Sequence, residues 1–280
     1  MHKCSCGEEF KKEIYYISHQ KICLNSIQEV YLKEFEKHNF DNIKFINGVP
    51  EVVFICWFGG YKVENQKMSI NRFKAFISLV KNIQVPVILI TNKNYMSFVK
   101  KTHPIHKSFE LLSGNHKSDY MRAYLLHHYG GGYHDIKHRE KSWKNCWDDW
   151  LFDDNIWIFG RKENNKDAIG YPPNEKHICE HFDKLITMGW VISKPYTKFT
   201  GKLLCKIEEV LDKKHDKLLE NPGYNSAGYY HENPFQMAEE NNYPLRWLEV
   251  MGEISHPLML EITEHIKFGL PDAIKKRKYA

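Results

Sequence analysis

The residues best suited to chemistry in this chain lie between positions 117 and 137. The stretch "GGGYHDIKHRE" (130–140) sets three glycines, a tyrosine and Asp135 in succession. That is the make-up of a strand entry at which a carboxylate approaches a metal-bound diphosphate. Where a second carboxylate would complete a pair, Lys137 stands instead. Alternation along a strand puts positions 135 and 137 on the same face, so the ammonium group would address whatever Asp135 addresses. A fixed cation aimed at charge developing on a leaving group stabilises the transition state. Just upstream, Asp119 and Arg122 are three apart and share a helix face, with Lys117 beside them. As a surface ion pair they would contribute little. At the start of a helix leading into the glycines, Asp119 is instead placed to accept hydrogen bonds from ribose or sugar hydroxyls.

A second constellation opens the chain. Cys4, Cys6, His19 and Cys23 form C-x-C-x12-H-x3-C. Zinc takes four such ligands in a tetrahedron, and so short a segment has too little core to fold without a staple of this kind. The segment resembles C2H2-type fingers in their C2HC variant, with "CGEEF" in place of the C-G-x-x-F turn and Phe10 and Ile17 at the core positions. It departs from them in having one residue between the first two cysteines. The expected role is structural or protein contact, since a single finger is a weak DNA reader.

These residues need elements to hold them. "NSIQEVYLKEFEKHNF" (25–40), with apolar residues at 27, 30/31 and 35, predicts an amphipathic connector helix. "EVVFICWF" (51–58) reads as a buried strand ending at Gly59-Gly60. "SINRFKAFISLVKN" has helical spacing at Ile70, Phe73, Phe76, Ile77 and Val80 behind a Ser69 cap. "VPVILIT" (85–91) is a second strand, 94–101 a short helix and "FELL" (109–112) a third strand. A helix capped by Ser118, with Met121, Tyr124 and Leu125 facing inward, stops at the glycines. "YHDI" is a fourth strand. The alternation predicts an α/β domain with a largely parallel sheet. In such sheets ligands bind beyond the carboxyl ends of the strands, where the loops at 57–60 and 135–138 both emerge.

Together these residues resemble the DXD-type sugar transferases, the GT-A-fold glycosyltransferases that include capsular polysaccharide synthesis proteins and initiating mannosyltransferases. Lys117, Asp119, Arg122, Leu126, Gly131, Gly132, Tyr133 and Asp135 follow the order of that family's central pattern. "WFGG" resembles its W-x-G opening, "MGWVISKP" (188–195) the strand leading to the acceptor side, and "YPLRWLEVMGEISHPLML" a closing segment with a late histidine. The resemblance spans residues 48–262. It implies a GT-A-like, Rossmann-like sheet flanked by helices over 46–280, after a zinc-finger-like module (1–24) and a helical connector (25–45). It implies transfer of a hexose-type sugar from a nucleotide-diphosphate sugar, foremost a UDP-sugar, to a glycan or other acceptor hydroxyl, with retention of configuration. Trp57, Phe58 and Gly59 would form the nucleotide pocket. Lys117 and Asp119 would hold ribose or sugar, and Arg122 would support the diphosphate. Asp135, Lys137 and His256 would face the leaving group.

Lys137 is the departure, because in the family both carboxylates hold a divalent cation. Three readings follow. Lys137 takes over much of the metal's work; Mn²⁺ or Mg²⁺ is still held by Asp135 with His256 or another acid; or the site is inactive. His256, before Pro257, reads equally as a turn histidine. Asp148-Asp149 and Asp153-Asp154 read as solvated caps, and His127, His128, His134 and His138 as packing or surface residues. Cys56, Cys146, Cys179 and Cys205 suit core or near-core positions. No nucleophile elbow, P-loop or dinucleotide fingerprint is present.

The 280 residues, 42% hydrophobic and 14% aromatic, allow one large domain with a small appendage. The net charge of +5 and pI near 8.6 fit an anionic small molecule. They argue against nucleic acid as partner, since only the terminal "KKRKYA" forms a basic run. No apolar run reaches the roughly 20 residues that span a bilayer. With a polar N-terminus and seven cysteines in no disulfide framework, the expected compartment is cytoplasmic. Two rival readings are a zinc-finger adaptor for nucleic acid or protein and a non-catalytic nucleotide-sugar binder.

Overall fold

The computed structural model describes residues 2–3, 9–11, 27–59, 68–223 and 242–273. The expected zinc ligands Cys4, Cys6, His19 and Cys23 lie outside the described residues, as do the basic run 275–280 and most of "NPGYNSAGYYHENPF". Two short strands at the start, β1 (His2–Lys3) and β2 (Glu9–Phe10), pair antiparallel.

The body is a six-stranded sheet between two helical layers. Its strands are β5 (Val53–Trp57), β6 (Val87–Thr91), β7 (Gly131–His134), β8 (Ile158–Lys162), β9 (Ile186–Ser193) and β10 (Ile266–Phe268), in the order β10-β8-β9-β7-β5-β6. A separate two-residue hairpin, β3 (Phe45–Ile46) with β4 (Val49–Pro50), precedes them. β5 pairs parallel with β6 and β7, and β10 with β8. β9 runs antiparallel between β7 and β8. The sheet is therefore mostly parallel, as expected, with one strand inserted against the grain.

The continuous apolar runs of β5 and β6 follow from burial on both faces. Phe54 and Cys56 of β5 join one core with Ile88 and Ile90 of β6, while Val53 and Ile55 join the opposite core with Val87 and Leu89. The first core is closed by α3 (Gly114–His128), α4 (Lys198–Glu220) and α5 (Gly252–Leu260). The second is closed by α2 (Ile70–Asn82), by Trp143, Trp147 and Trp150, and by Leu32 of a helix over 27–35, here α1.

Several local expectations change. "FELL" is no strand; Phe109–Leu111 makes one 3₁₀ turn, and the fully buried Phe109 packs edge-on against Phe58 and Tyr120. A four-residue apolar run looks alike in either state. The short helix expected over 94–101 contracts to a 3₁₀ turn at Tyr95–Phe98. α3 begins at Gly114, four residues before Ser118. Its cap is Ser113, whose side chain accepts from the His116 N–H, while the Ser118 hydroxyl donates to the Gly114 carbonyl within the helix. Ser69 caps α2 as expected, but Ile70 is exposed and Leu79 takes the buried place. On α1, Ile27 and Val30 are exposed and Gln28 and Leu32 buried. Gln28 bonds the Met68 backbone through both its side-chain atoms.

The segment after β7 carries the residues of interest and is pinned on both sides. Gly130 and Gly131, with φ of +68° and +86°, turn α3 into β7 in a region that L side chains avoid. β7 then ends at His134, so Asp135 and Lys137 lie beyond the strand and its alternation does not relate them. The Arg72 guanidinium donates to the Ile136 carbonyl at 2.9 Å, and Ser78 and Asn82 donate to the Arg139 carbonyl. Arg139 is fully buried and stacks on Trp143, 4.7 Å from the ring centre. It donates to His134 Nε2 and to the carbonyls of Lys141 and Pro271. Burial lowers its pKa only to about 10, so it stays charged.

Removing a buried, fully engaged guanidinium strands its acceptors. Arg139→Ala should therefore cost about 3 kcal/mol of folding stability. A chemical denaturation curve with the same slope and an earlier midpoint would show it; an unchanged midpoint would refute the role.

Candidate active site

Beyond the carboxyl ends of β5 and β7, a cleft of 600 Å³ opens between the start of α3, the middle of β9 and α5. That volume suits a substantial small molecule. Trp57, Phe58, Gly59, Lys117, Asp119, Arg122, Asp135, Lys137 and His256 all line it. Residues up to two hundred positions apart are thus brought to one place by the sheet.

Arg122 is the centre. It rises from the buried face of α3 and places Nη2 2.9 Å from Asp119 Oδ1 and 3.2 Å from Asp135 Oδ1. Its guanidinium lies over the Tyr133 ring at 4.3 Å, and the Tyr133 hydroxyl donates to Asp135 Oδ1 at 3.1 Å. The pair anticipated as possibly superficial is buried: the Arg122 and Asp119 side chains are 8% and 14% exposed. Burial acts to lower the Arg122 pKa, but Tyr133, Asp135 and Asp119 together outweigh it and raise the pKa above its ordinary value. Burial lifts the Asp119 carboxyl to about 6, with Arg122 opposing and Asp135 adding to the rise. Cys56 lies buried behind this group, and burial pushes its thiol far up, so it is no nucleophile.

The remaining expected residues take different parts. Trp57 is half-buried at the end of β5. The Phe58 ring is only 4% exposed and packs on Tyr95 and Phe109, so it belongs to the core beneath the cleft. Its carbonyl accepts from Asn92. Lys117 lies over the Phe109 ring and pairs with Glu110. Lys137 lines the cleft beside Asp135. His256 is no turn residue. It sits inside α5, its Nδ1 3.0 Å from both the N and O of Gly170, and burial lowers its pKa to about 4, so it is neutral at pH 7. The aspartates at 148 and 153 cap local turns, accepting from the N–H groups of Trp150 and Asn155. Cys56, Cys146 and Cys179 are buried and Cys205 is exposed.

Other cleft residues escaped the sequence reading. Arg72 follows a helix cap in a pattern that any surface arginine shares. Glu163, Thr187 and Ser255 come from segments whose placement depends on β8, β9 and α5 meeting. Trp247 falls in "YPLRWLEVMGEISHPLML", a segment whose visible signal is the late histidine, His256.

Among the described residues, no three His, Cys, Asp or Glu side chains group as a metal cage. A divalent cation arriving with a diphosphate needs only one or two protein carboxylates. Asp135 offers one, with Oδ1 already shared by Arg122 and Tyr133.

The family model for capsular polysaccharide synthesis proteins matches residues 5–172, which is more than half of the chain and includes this motif. The chain belongs to that family. Comparison with curated proteins and with solved structures gave no match. The family match takes in α3, β7 and the Asp135–Lys137 segment, while the α5 wall with His256 lies beyond it. Membership ties the chain to polysaccharide synthesis. No helix among the described residues is long and apolar enough to cross a membrane.

The Asp119 carboxyl makes a pH signature. Its pKa in the folded protein, about 6, exceeds the ordinary value of 3.8, so the folded state binds this proton more tightly than the unfolded one. Its contribution to stability is greatest in acid and falls as pH rises through 4 to 6. Asp119→Asn lacks this dependence. Between pH 7 and pH 4 the stability of wild type relative to the variant should rise by about 2–3 kcal/mol. Parallel melting curves across that range would contradict the placement.

Proposed function

We propose that the cleft binds a nucleotide-diphosphate sugar, foremost a UDP-sugar, and transfers its hexose-type sugar to an acceptor hydroxyl of a glycan. The observation that carries this reading is the buried Arg122 joining Asp119 to Asp135 where the loops after β5 and β7 converge. Family membership supports it at the level of polysaccharide synthesis.

In this reading Trp57 lies against the base, and Lys117 and Asp119 hold ribose or sugar hydroxyls. Arg122 and Lys137 face the diphosphate. The bond between the anomeric carbon and the diphosphate oxygen breaks with its electron pair passing to the diphosphate. The acceptor oxygen bonds to that carbon, and its proton passes to the departing diphosphate oxygen. Preset cations need no reorganisation as charge builds on the leaving group. Retention, which the resemblance implies, has the acceptor approach on the face that the diphosphate leaves. Asp135 holds the donor, and would also hold Mn²⁺ or Mg²⁺ when the donor brings one, adding charge neutralisation. His256, uncharged, is a second contact to the donor. The N-terminal cysteines and histidine would hold a structural Zn²⁺.

Donor hydrolysis over UDP- and GDP-sugars, with EDTA or added Mn²⁺, tests this. Lys137→Ala should lower kcat about 100-fold, with wild-type turnover surviving EDTA. A strict Mn²⁺ requirement would assign the charge to a metal on Asp135 instead. Donor binding without turnover would make the chain a nucleotide-sugar binder, and no binding to any donor would refute the reading.

A further inference from the structure

Asp135 uses its two carboxylate oxygens differently. Oδ1 takes the Arg122 guanidinium at 3.2 Å and the Tyr133 hydroxyl at 3.1 Å. Oδ2 accepts no hydrogen bond among the described residues, and the side chain is 34% exposed where it lines the cleft. What Oδ2 meets is β9. A Cβ at position 189 would stand 3.0 Å from Asp135 Oδ2 and 3.4 Å from Thr187 Oγ1. Thr187 and Gly189 are both partly exposed, and both line the cleft.

The backbone does not call for glycine here. Gly189 has no positive φ, and its carbonyl accepts from the Asp135 N–H at 2.7 Å as a strand residue's would. Glycine inside a strand weakens it and often marks a place that a ligand approaches closely. The bare Cα keeps a gap open between a carboxylate oxygen and a hydroxyl. The two sides of that gap are complementary. A carboxylate paired with a guanidinium only accepts, whereas Thr187 Oγ1 accepts from the Gly189 N–H at 3.3 Å and so has its own proton to donate. A ligand hydroxyl donates and accepts at once, and so answers both. A diphosphate oxygen has no proton for the carboxylate and would meet like charge.

We propose that Thr187, Gly189 and Asp135 Oδ2 form the subsite for the transferred sugar, whose ring lies over the Gly189 Cα with hydroxyls on the carboxylate and the threonine. The inference rests on the donor-binding reading of the same cleft. A side chain at position 189 would take the space of the ring and crowd Asp135 Oδ2. Thr187 supplies a neutral hydrogen bond that the nucleotide itself does not use.

Calorimetric titration of the full chain tests this with UDP, UDP-glucose, UDP-galactose, GDP and GDP-mannose. Wild type should bind at least one sugar nucleotide about fivefold more tightly than the bare nucleotide. Thr187→Val keeps the shape and removes the hydroxyl. It should weaken that sugar nucleotide about fivefold and leave the bare nucleotide unaffected, and Thr187→Ser should restore most of the loss. Among singly deoxygenated forms of the same sugar nucleotide, one should bind wild type and Thr187→Val equally, because it lacks the hydroxyl that meets Thr187. Gly189→Ala should abolish the gain from the sugar. Equal wild-type affinity for every sugar nucleotide and its bare nucleotide would overturn the subsite and leave the donor reading standing. So would an unchanged sugar-nucleotide affinity in Thr187→Val, even with Gly189→Ala impaired, since the added methyl would then act only by displacing Asp135. Failure of wild type to bind any nucleotide or sugar nucleotide would overturn the donor reading, and this inference with it.

Discussion

A guanidinium buried between two carboxylates organises this protein's site. Arg122 carries its charge into the interior, where Asp119 and Asp135 offset the desolvation, and removing either leaves a desolvated charge poorly paired. Asp119 sits one turn earlier on the same helix, whereas Asp135 comes from the far end of the next strand. The ion cluster therefore locks the start of α3 to the end of β7, with Tyr133 beneath as a flat support. Its electrostatic cost shows in the raised pKa of Asp119. A protein that needed only stability would fill this space with apolar side chains; keeping three charges and a phenol here speaks for a polar ligand.

The surroundings extend the same logic outward. The Ile136 carbonyl is held by Arg72, and the Arg139 backbone by Ser78 and Asn82, so α2 grips the segment carrying Asp135 and Lys137 from the other side of the sheet. Arg139 then anchors it to the chain's far end through Pro271. A loop with this many fixed carbonyls presents its side chains with little reorganisation. The antiparallel β9, threaded between β7 and β8, carries on its two edges the strand ends from which Asp135 and Glu163 emerge.

Membership of the capsular polysaccharide synthesis family and the α/β architecture agree with what the central motif implied. The same reading misjudged features that depend on contacts made later in the chain. "FELL" has strand-like composition, yet Phe109 is drawn into an aromatic cluster with Phe58 and Tyr120. Ser118 is a plausible cap by type; Ser113 wins, and Tyr243, 130 residues away, accepts from its N–H to hold the helix start. Phe58 is adjacent to Trp57 but points into the core.

Residue types and spacing alone determined the helix that carries Asp119 and Arg122, the glycine turn into β7, and the substitution of Lys137 for a second carboxylate. These are local matters, settled by helical periodicity, positive φ and side-chain charge. Only the tertiary structure decided that Arg122 would bridge Asp119 and Asp135, that His256 would be a neutral helix residue bound to Gly170, and that Glu163 and Ser255 would share the cleft. Burial and strand order decide these, and both are properties of the whole sheet: a charge becomes costly, and a distant residue becomes a neighbour, only once the strands have found their order.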